Sequence, residues 1–332
     1  MQFPADFGAH PDTRTEWWYV TGTLVSAARR WGFQVTFFRS ATGLTATPPS
    51  RFDASQILFA HDALTDLEKG RLRHDQRIAR SGFGIAQAQT GDTAVTLRDW
   101  HLRRAPLPAD PLRSRYIARI ASDSAEFAFD LQFDTTQPVL LQGDGGVSKK
   151  GPEDAHTSRY YSEPQLAVSG TLTVDGKPIA VQGRAWLDHE WSDSFIPPPA
   201  IGWDWIGMNL DDGSALTAFR LRRADGSSLY AGGSFRRSGQ PARIFAPNEV
   251  SFTPGRRWNS PASRASYPVQ WRIATPVGTF SVSALLDNQE LDSRGSTGAI
   301  YWEGLSALLD ERGMRVGSGY LEMTGYASAL RL

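Results

Sequence analysis

Residues 186–205 read WLDHEWSDSFIPPPAIGWDW. With the seven residues before it, the front of this stretch (Ile179–Trp191, IAVQGRAWLDHEW) alternates at period two, the repeat of a β-strand. On a strand, Trp186, Asp188 and Glu190 share one face, and Leu187, His189 and Trp191 share the other. Two carboxyls on one face stand about 7 Å apart. Trp203-Asp204-Trp205 alternates again, with both indoles on one side. Four indoles beside an Asp-His-Glu run suggest an apolar hollow with a few polar groups aimed inward, the make-up of a small-molecule site.

The same alternation recurs along the chain, and helical periodicity is scarce. The strands expected are Glu16–Ser26, Gly32–Arg39, Ala54–Thr65, Val95–Arg103, Arg115–Ala121, Ala125–Phe133, Gln165–Val174, Ile179–Glu190, Asp204–Leu210, Ser214–Arg222, Ser228–Phe235, Val269–Ala274, Phe280–Asp287, Ala299–Leu309 and Gly317–Tyr326. Turn pairs such as Asp175-Gly176 and Asp225-Gly226 separate them. This pattern predicts an all-β protein of antiparallel barrels or sandwiches. Trp18–Leu24 (WYVTGTL) resembles Leu166–Leu172 (LAVSGTL), and Val35–Arg39 resembles Leu216–Arg220. A repeat of half the chain suggests two tandem β units, residues 1–150 and 160–332, joined by a Gly-, Asp- and Lys-rich linker over 141–163.

The bulk numbers narrow the function. The chain has 332 residues and 40% hydrophobic content, with 35 basic and 35 acidic side chains. Zero formal charge offers no field for nucleic acid or anionic lipid. There is no cysteine, hence no disulfide, thiolate catalysis or Cys-based metal site. No apolar run has the length of a transmembrane helix. The N-terminus lacks a signal-peptide pattern. The protein is expected to be cytoplasmic as it stands, or periplasmic or secreted if a leader has been removed; its oligomeric state is not legible. His10, His61, His74, His101 and His156 have no metal-ligand spacing, so no metal and no cofactor is expected. No Gly-x-Ser-x-Gly elbow marks a serine hydrolase.

Each candidate has a plain structural alternative. Asp188 and Glu190 could cap a turn. Trp203 and Trp205 could be core, with Asp204 pairing an arginine. Glu16-Trp17-Trp18-Tyr19 could close a barrel floor, with Glu16 partnered by Arg14, Arg39 or His10. Tyr161 could line a mouth or pack in the linker.

FPADFGAH followed by TEWWYVTGTL resembles the opening of the carotenoid 1,2-hydratase-like (AttH-like) proteins. RYYSEPQLAVSGTL, AWLDHEWS, GWDWIGMNLDDG and GSGYLEMTGY resemble later blocks of that family in the same order, so that the likeness runs from Phe3 to Tyr326. The resemblance implies a pair of lipocalin-like β-barrels. It also implies a cofactor-independent hydratase that adds water across a prenyl-type double bond. Relatives that steer cycloadditions imply a pericyclase-like alternative, and the fold itself allows a non-catalytic carrier of hydrophobic ligands. Carried over, the hydratase-type site falls on Asp188, His189 and Trp191, with Trp203-Asp204-Trp205 beside it. Glu190 stands where a neutral residue is expected in the carotenoid enzymes, a departure that argues against a very long polyene. The catalytic set expected is Asp188, His189 and Glu190. The ligand-binding set is Trp191, Trp203, Asp204, Trp205, Trp186, Tyr161, Glu16, Trp18 and Tyr19. The expected partner is a hydrophobic small molecule.

Overall fold

The computed structural model describes residues 1–27, 29–44, 54–108, 110–194 and 196–330. Phe195 of the stretch quoted above lies outside them. The described residues form two large antiparallel sheets, two short 3-10 turns and no α-helix. No helix among them is long and apolar enough to cross a membrane.

The first sheet has thirteen strands. Its hydrogen-bonded order runs Arg71–Arg80, Gln56–Asp66, Arg29–Ala41, Thr15–Ser26, Lys177–Ser192, Thr157–Val174, Phe127–Asp134, Asp110–Ser122, Trp100–Leu107, Ala94–Leu97 and Ala86–Ala88. It curls into a nearly closed barrel around Trp18, Trp31, Phe33, Trp100 and Phe133, all buried. The second sheet has ten strands. Its centre is Ala215–Arg222, Gly202–Leu210, Arg315–Met323 and Ile300–Leu309, packed around Trp271, Trp302 and Ile206. The all-β architecture, a nearly closed barrel-shaped sheet with a second antiparallel sheet, agrees with the expected barrels or sandwiches.

The sheets divide the chain later than the expected boundary at residues 150–160. Thr157–Val174 and Lys177–Ser192 both belong to the first sheet, and the second begins at Gly202. Of the similar segments, Trp18, Val20 and Leu24 on one strand and Leu166, Val168 and Leu172 on another fill the same core. Both strands offer the same apolar face to the same interior.

Two other differences are local. Val95–Arg103 is a hairpin of Ala94–Leu97 and Trp100–Leu107, turned at Arg98, whose φ is 58°. Arg71–Arg80 (RLRHDQRIAR) was missed because its charges hide the alternation; Asp75 pairs in register with the buried Asp62, and Arg77 lies over the Trp100 ring.

The barrels meet face to face. Tyr19 and Trp186 of the first pack with Trp205, Phe219, Leu305 and Tyr320 of the second. Polar side chains lock the register: Asn209 Nδ2 donates to the Ala185 carbonyl at 3.0 Å, and Thr65 Oγ1 donates to Gln289 Oε1 at 3.0 Å. Gly32 permits this approach. A Cβ there would stand 2.7 Å from the Tyr320 hydroxyl and 2.9 Å from Leu305 Cβ. Gly32→Leu should therefore cost roughly 1–3 kcal/mol by overpacking, read as a lower urea midpoint with a Gly32→Ala variant intermediate.

Candidate functional site

The strand Lys177–Ser192 sits beside Thr15–Ser26 in register, with Tyr19 opposite Asp188, Trp17 opposite Glu190, Trp18 opposite His189 and Glu16 opposite Trp191. Residues directly opposite share a face. Trp17, Tyr19, Asp188 and Glu190 therefore point into the gap between the barrels. Glu16, Trp18, His189 and Trp191 point into the first barrel. The Asp-His-Glu run is split: its two acids reach a cavity, and its imidazole does not.

That cavity has a volume of about 130 Å³, well beyond the roughly 10–15 Å³ that one water needs on the same measure. The first sheet contributes Trp17, Tyr19, Gln34, Phe38, Phe59, His61, Tyr160, Asp188 and Glu190. The second contributes Trp203, Trp205, Phe219, Tyr301, Glu303 and Glu322. Lys150 closes over it, 2.9 Å from Glu190 Oε1 and 4.6 Å from the Tyr160 and Phe219 ring centres.

Asp188 is 3% exposed. Its Oδ1 accepts from Ser162 Oγ at 2.5 Å and from Trp186 Nε1 at 2.7 Å. Burial raises its carboxyl to about 7, against these donors, with the charge of Glu190 adding to the rise. Both of these donors meet Oδ1, and the Tyr160 hydroxyl also hydrogen-bonds the carboxyl. Burial likewise raises Glu322 to about 7, helped by Asp188 and Glu190. Its strand neighbour Glu303 is pushed well above the carboxylate range by burial and by Glu322. His61 is pulled down to about 3 by burial, so it is neutral; Nδ1 meets the Tyr301 hydroxyl at 2.8 Å.

The opposite face is an ion-paired network. Glu16 Oε1 accepts from His10 Nδ1 at 2.8 Å and His189 Nε2 at 2.9 Å, and Oε2 accepts from Arg39 Nε at 2.8 Å. Burial alone would raise Glu16; hydrogen bonds from His10 and His189, with the His189 and Arg39 charges, outweigh it and bring the carboxyl down to about 2. Burial lowers His189, against the pull of Glu16. His10 Nδ1, Glu16 and His189 Nε2 lie within 4.8 Å of one another, a spacing that could hold a metal ion. Each of these atoms is already hydrogen-bonded, and the Arg39 guanidinium on the other carboxylate oxygen opposes a cation. His10 also stacks on Trp191 at 3.7 Å.

Of the residues singled out from sequence, Asp188, Glu190, Tyr19, Trp203 and Trp205 line the cavity. Trp186 stands behind it, holding Asp188 and packing on Trp205 at 6.3 Å. His189, Trp191, Glu16 and Trp18 lie in the first barrel because their register parity is opposite. Tyr161 does too, 3.1 Å from His189 Nδ1; its neighbour Tyr160 faces the cavity instead. Asp204 is buried in the second barrel, accepting from Arg220 Nε at 2.7 Å and the Tyr326 hydroxyl at 2.8 Å. The main omissions are Glu303, Glu322, Tyr301 and His61. A lone acid in the apolar run IYWEGLSALL was the available signal for Glu303.

These acids tie stability to pH. A carboxyl raised in the folded state holds its proton more tightly than the unfolded chain does. The stability it confers is complete below its unfolded pKa, near 4, and is lost as pH climbs through the folded value. Asp188 and Glu322 of the cavity, and Glu163, which is buried in the first sheet and accepts from Ser114 Oγ at 3.2 Å, are all raised to about 7 chiefly by burial and act together in this window. Each contributes at most about 1.4 kcal/mol per pH unit. Urea midpoints should fall steadily between pH 4 and 7 and level off above; a flat profile across that window would mean these groups are ionised and solvated.

Among known proteins, the AttH-like family model matches residues 1–326. The solved structure of a candidate AttH from Nitrosomonas europaea is 45% identical, covers 98% of this chain and 97% of its own, and superposes with a TM-score of 0.88. Kievitone hydratase from Nectria haematococca is 16% identical over 99% of this chain and 93% of its own, with a TM-score of 0.73. CghA, solved with Sch210972, is 13% identical over 94% and 88%, with a TM-score of 0.55. The last two likenesses concern the fold. A comparison with curated proteins finds no match. The family match over nearly the whole sequence and the 45% identity to the Nitrosomonas protein place this chain in the AttH-like family.

Proposed function

We propose that the protein is a cofactor-independent hydratase of an apolar small molecule and that Asp188 is its general acid. The observation that carries this reading is a carboxyl raised to about 7 by burial on the wall of an aromatic cavity. Such a group is protonated near neutrality and yet acidic enough to give its proton up. Asp188 transfers its proton to one carbon of a C=C bond, whose π electrons form the new C–H bond. The cation left on the other carbon is held against the indole faces of Trp203 and Trp205. Water adds through oxygen, and the oxonium proton returns to the Asp188 carboxylate. His189, turned into the first barrel, takes no part in guiding that water. Kievitone hydratase, which shares the fold, supports the reaction class by its name.

A pericyclase-type reading is favoured by the aromatic walls, but it leaves the protonated Asp188 without a task. Incubation with kievitone and a panel of prenylated phenols and terpenes in heavy-oxygen water separates the two. A product heavier by one labelled water is expected. An isomer of unchanged mass would replace hydration with cyclisation, and binding without any product would leave a carrier.

A further inference from the structure

Three buried polar atoms of the cavity lining are left over: Gln34 Oε1 has no hydrogen-bond partner, and Tyr19 Oη and Glu303 Oε1 face each other closely enough to interact but meet no partner in good hydrogen-bond geometry. Their side chains are 1%, 6% and 2% exposed, whereas Trp17, Phe38 and Trp203 nearer the rim are only half-buried. The Gln34 amide is held by its other end, where Nε2 donates to Thr36 Oγ1 at 3.0 Å and to the Tyr301 hydroxyl at 3.3 Å. The free oxygen is therefore a fixed acceptor. Buried polar atoms are normally paired, and each one sealed off without a partner is costly.

We infer that this part of the cavity is a recognition subsite for a neutral hydroxyl group, and that the ligand is an uncharged alcohol or phenol with an apolar body. The inference rests on the reading that the cavity is the substrate site, and it specifies the substrate class. A hydroxyl has one proton to give and two lone pairs to receive. It can donate to Gln34 Oε1 while accepting from the Tyr19 hydroxyl and from the Glu303 carboxyl. Glu303 has a proton to offer because its burial disfavours the charged form. A bare hydrocarbon would cover all three atoms and satisfy none. A carboxylate would be placed beside Asp188, Glu190, Glu303 and Glu322, and Lys150 is already ion-paired with Glu190.

Farnesol, farnesene and farnesoic acid share one apolar body and differ at the end group. Their affinities can be read at pH 7 by quenching of tryptophan fluorescence, since Trp17, Trp203 and Trp205 line the cavity. Farnesol should bind about tenfold or more tightly than either analogue. Gln34→Leu and Tyr19→Phe should each erase most of that preference and leave farnesene binding within about twofold; a merely structural role would weaken all three probes alike. Equal binding of farnesol and farnesene to the unmodified protein would overturn the inference, as would a preference that survives both substitutions. No turnover is needed for this measurement. Hydroxyl selectivity without label uptake from heavy-oxygen water would sink hydration and keep the subsite, and hydration without selectivity would do the reverse.

Discussion

Asp188→Asn should lower turnover by about 10²–10⁴-fold, the usual contribution of one general acid, while ligand affinity stays within a few fold. Asparagine has the shape of the neutral acid, and its carbonyl oxygen can still accept from Ser162 Oγ and Trp186 Nε1. The cavity wall is thus preserved and only the transferable proton is removed. Three linked measurements check the assignment. Turnover of the parent protein should decline as pH rises above about 7, because the reacting form is the protonated one. The variant should lose that decline along with the rate. Its stability should also fall less steeply between pH 4 and 7, since one of the acids that resists ionisation is gone. Unchanged turnover in the variant would remove Asp188 from the chemistry.

Glu16→Ala should destabilise the fold by about 3–5 kcal/mol, the range for breaking a buried ion pair from one side. Arg39 is 1% exposed and would keep its charge with neutral acceptors only, on Thr13, His10 and Gln56. His10 and His189 would lose their shared acceptor as well. Glu16→Gln should cost less, because an amide oxygen can still receive one imidazole. The sign of the pH effect is opposite to that of the cavity acids. Glu16 is held down at about 2, so its contribution is present above its unfolded pKa and is lost as pH falls through that folded value. Urea denaturation at pH 7 gives the cost directly. A loss below about 1 kcal/mol in the alanine variant would mean that the network is solvated.

The two faces of the strand ending in AWLDHEWS were legible from the alternation alone, and the register confirms that Asp188 and Glu190 lie together, away from His189 and Trp191. Which face met the ligand was not legible. Periodicity reports burial only when one side of a strand is wet, and residues 185–192 are buried on both. The same limit applies to Tyr160 and Tyr161, two adjacent buried tyrosines whose opposite parity sends only Tyr160 to the cavity. The two-unit reading stood on a real similarity between Trp18–Leu24 and Leu166–Leu172, but those strands serve one core.

The sequence by itself determined the all-β class, most of the long strands, the family likeness and the acid–indole chemistry of positions 186–205, because local alternation and turn residues encode them within a few neighbours. Only the tertiary structure decided that Glu303, Glu322 and Tyr301 face Asp188 across a shared cavity, and that residues 157–192 complete the first barrel. Those facts depend on which sheets pair and how two buried faces meet, contacts between residues more than a hundred positions apart that no local pattern records.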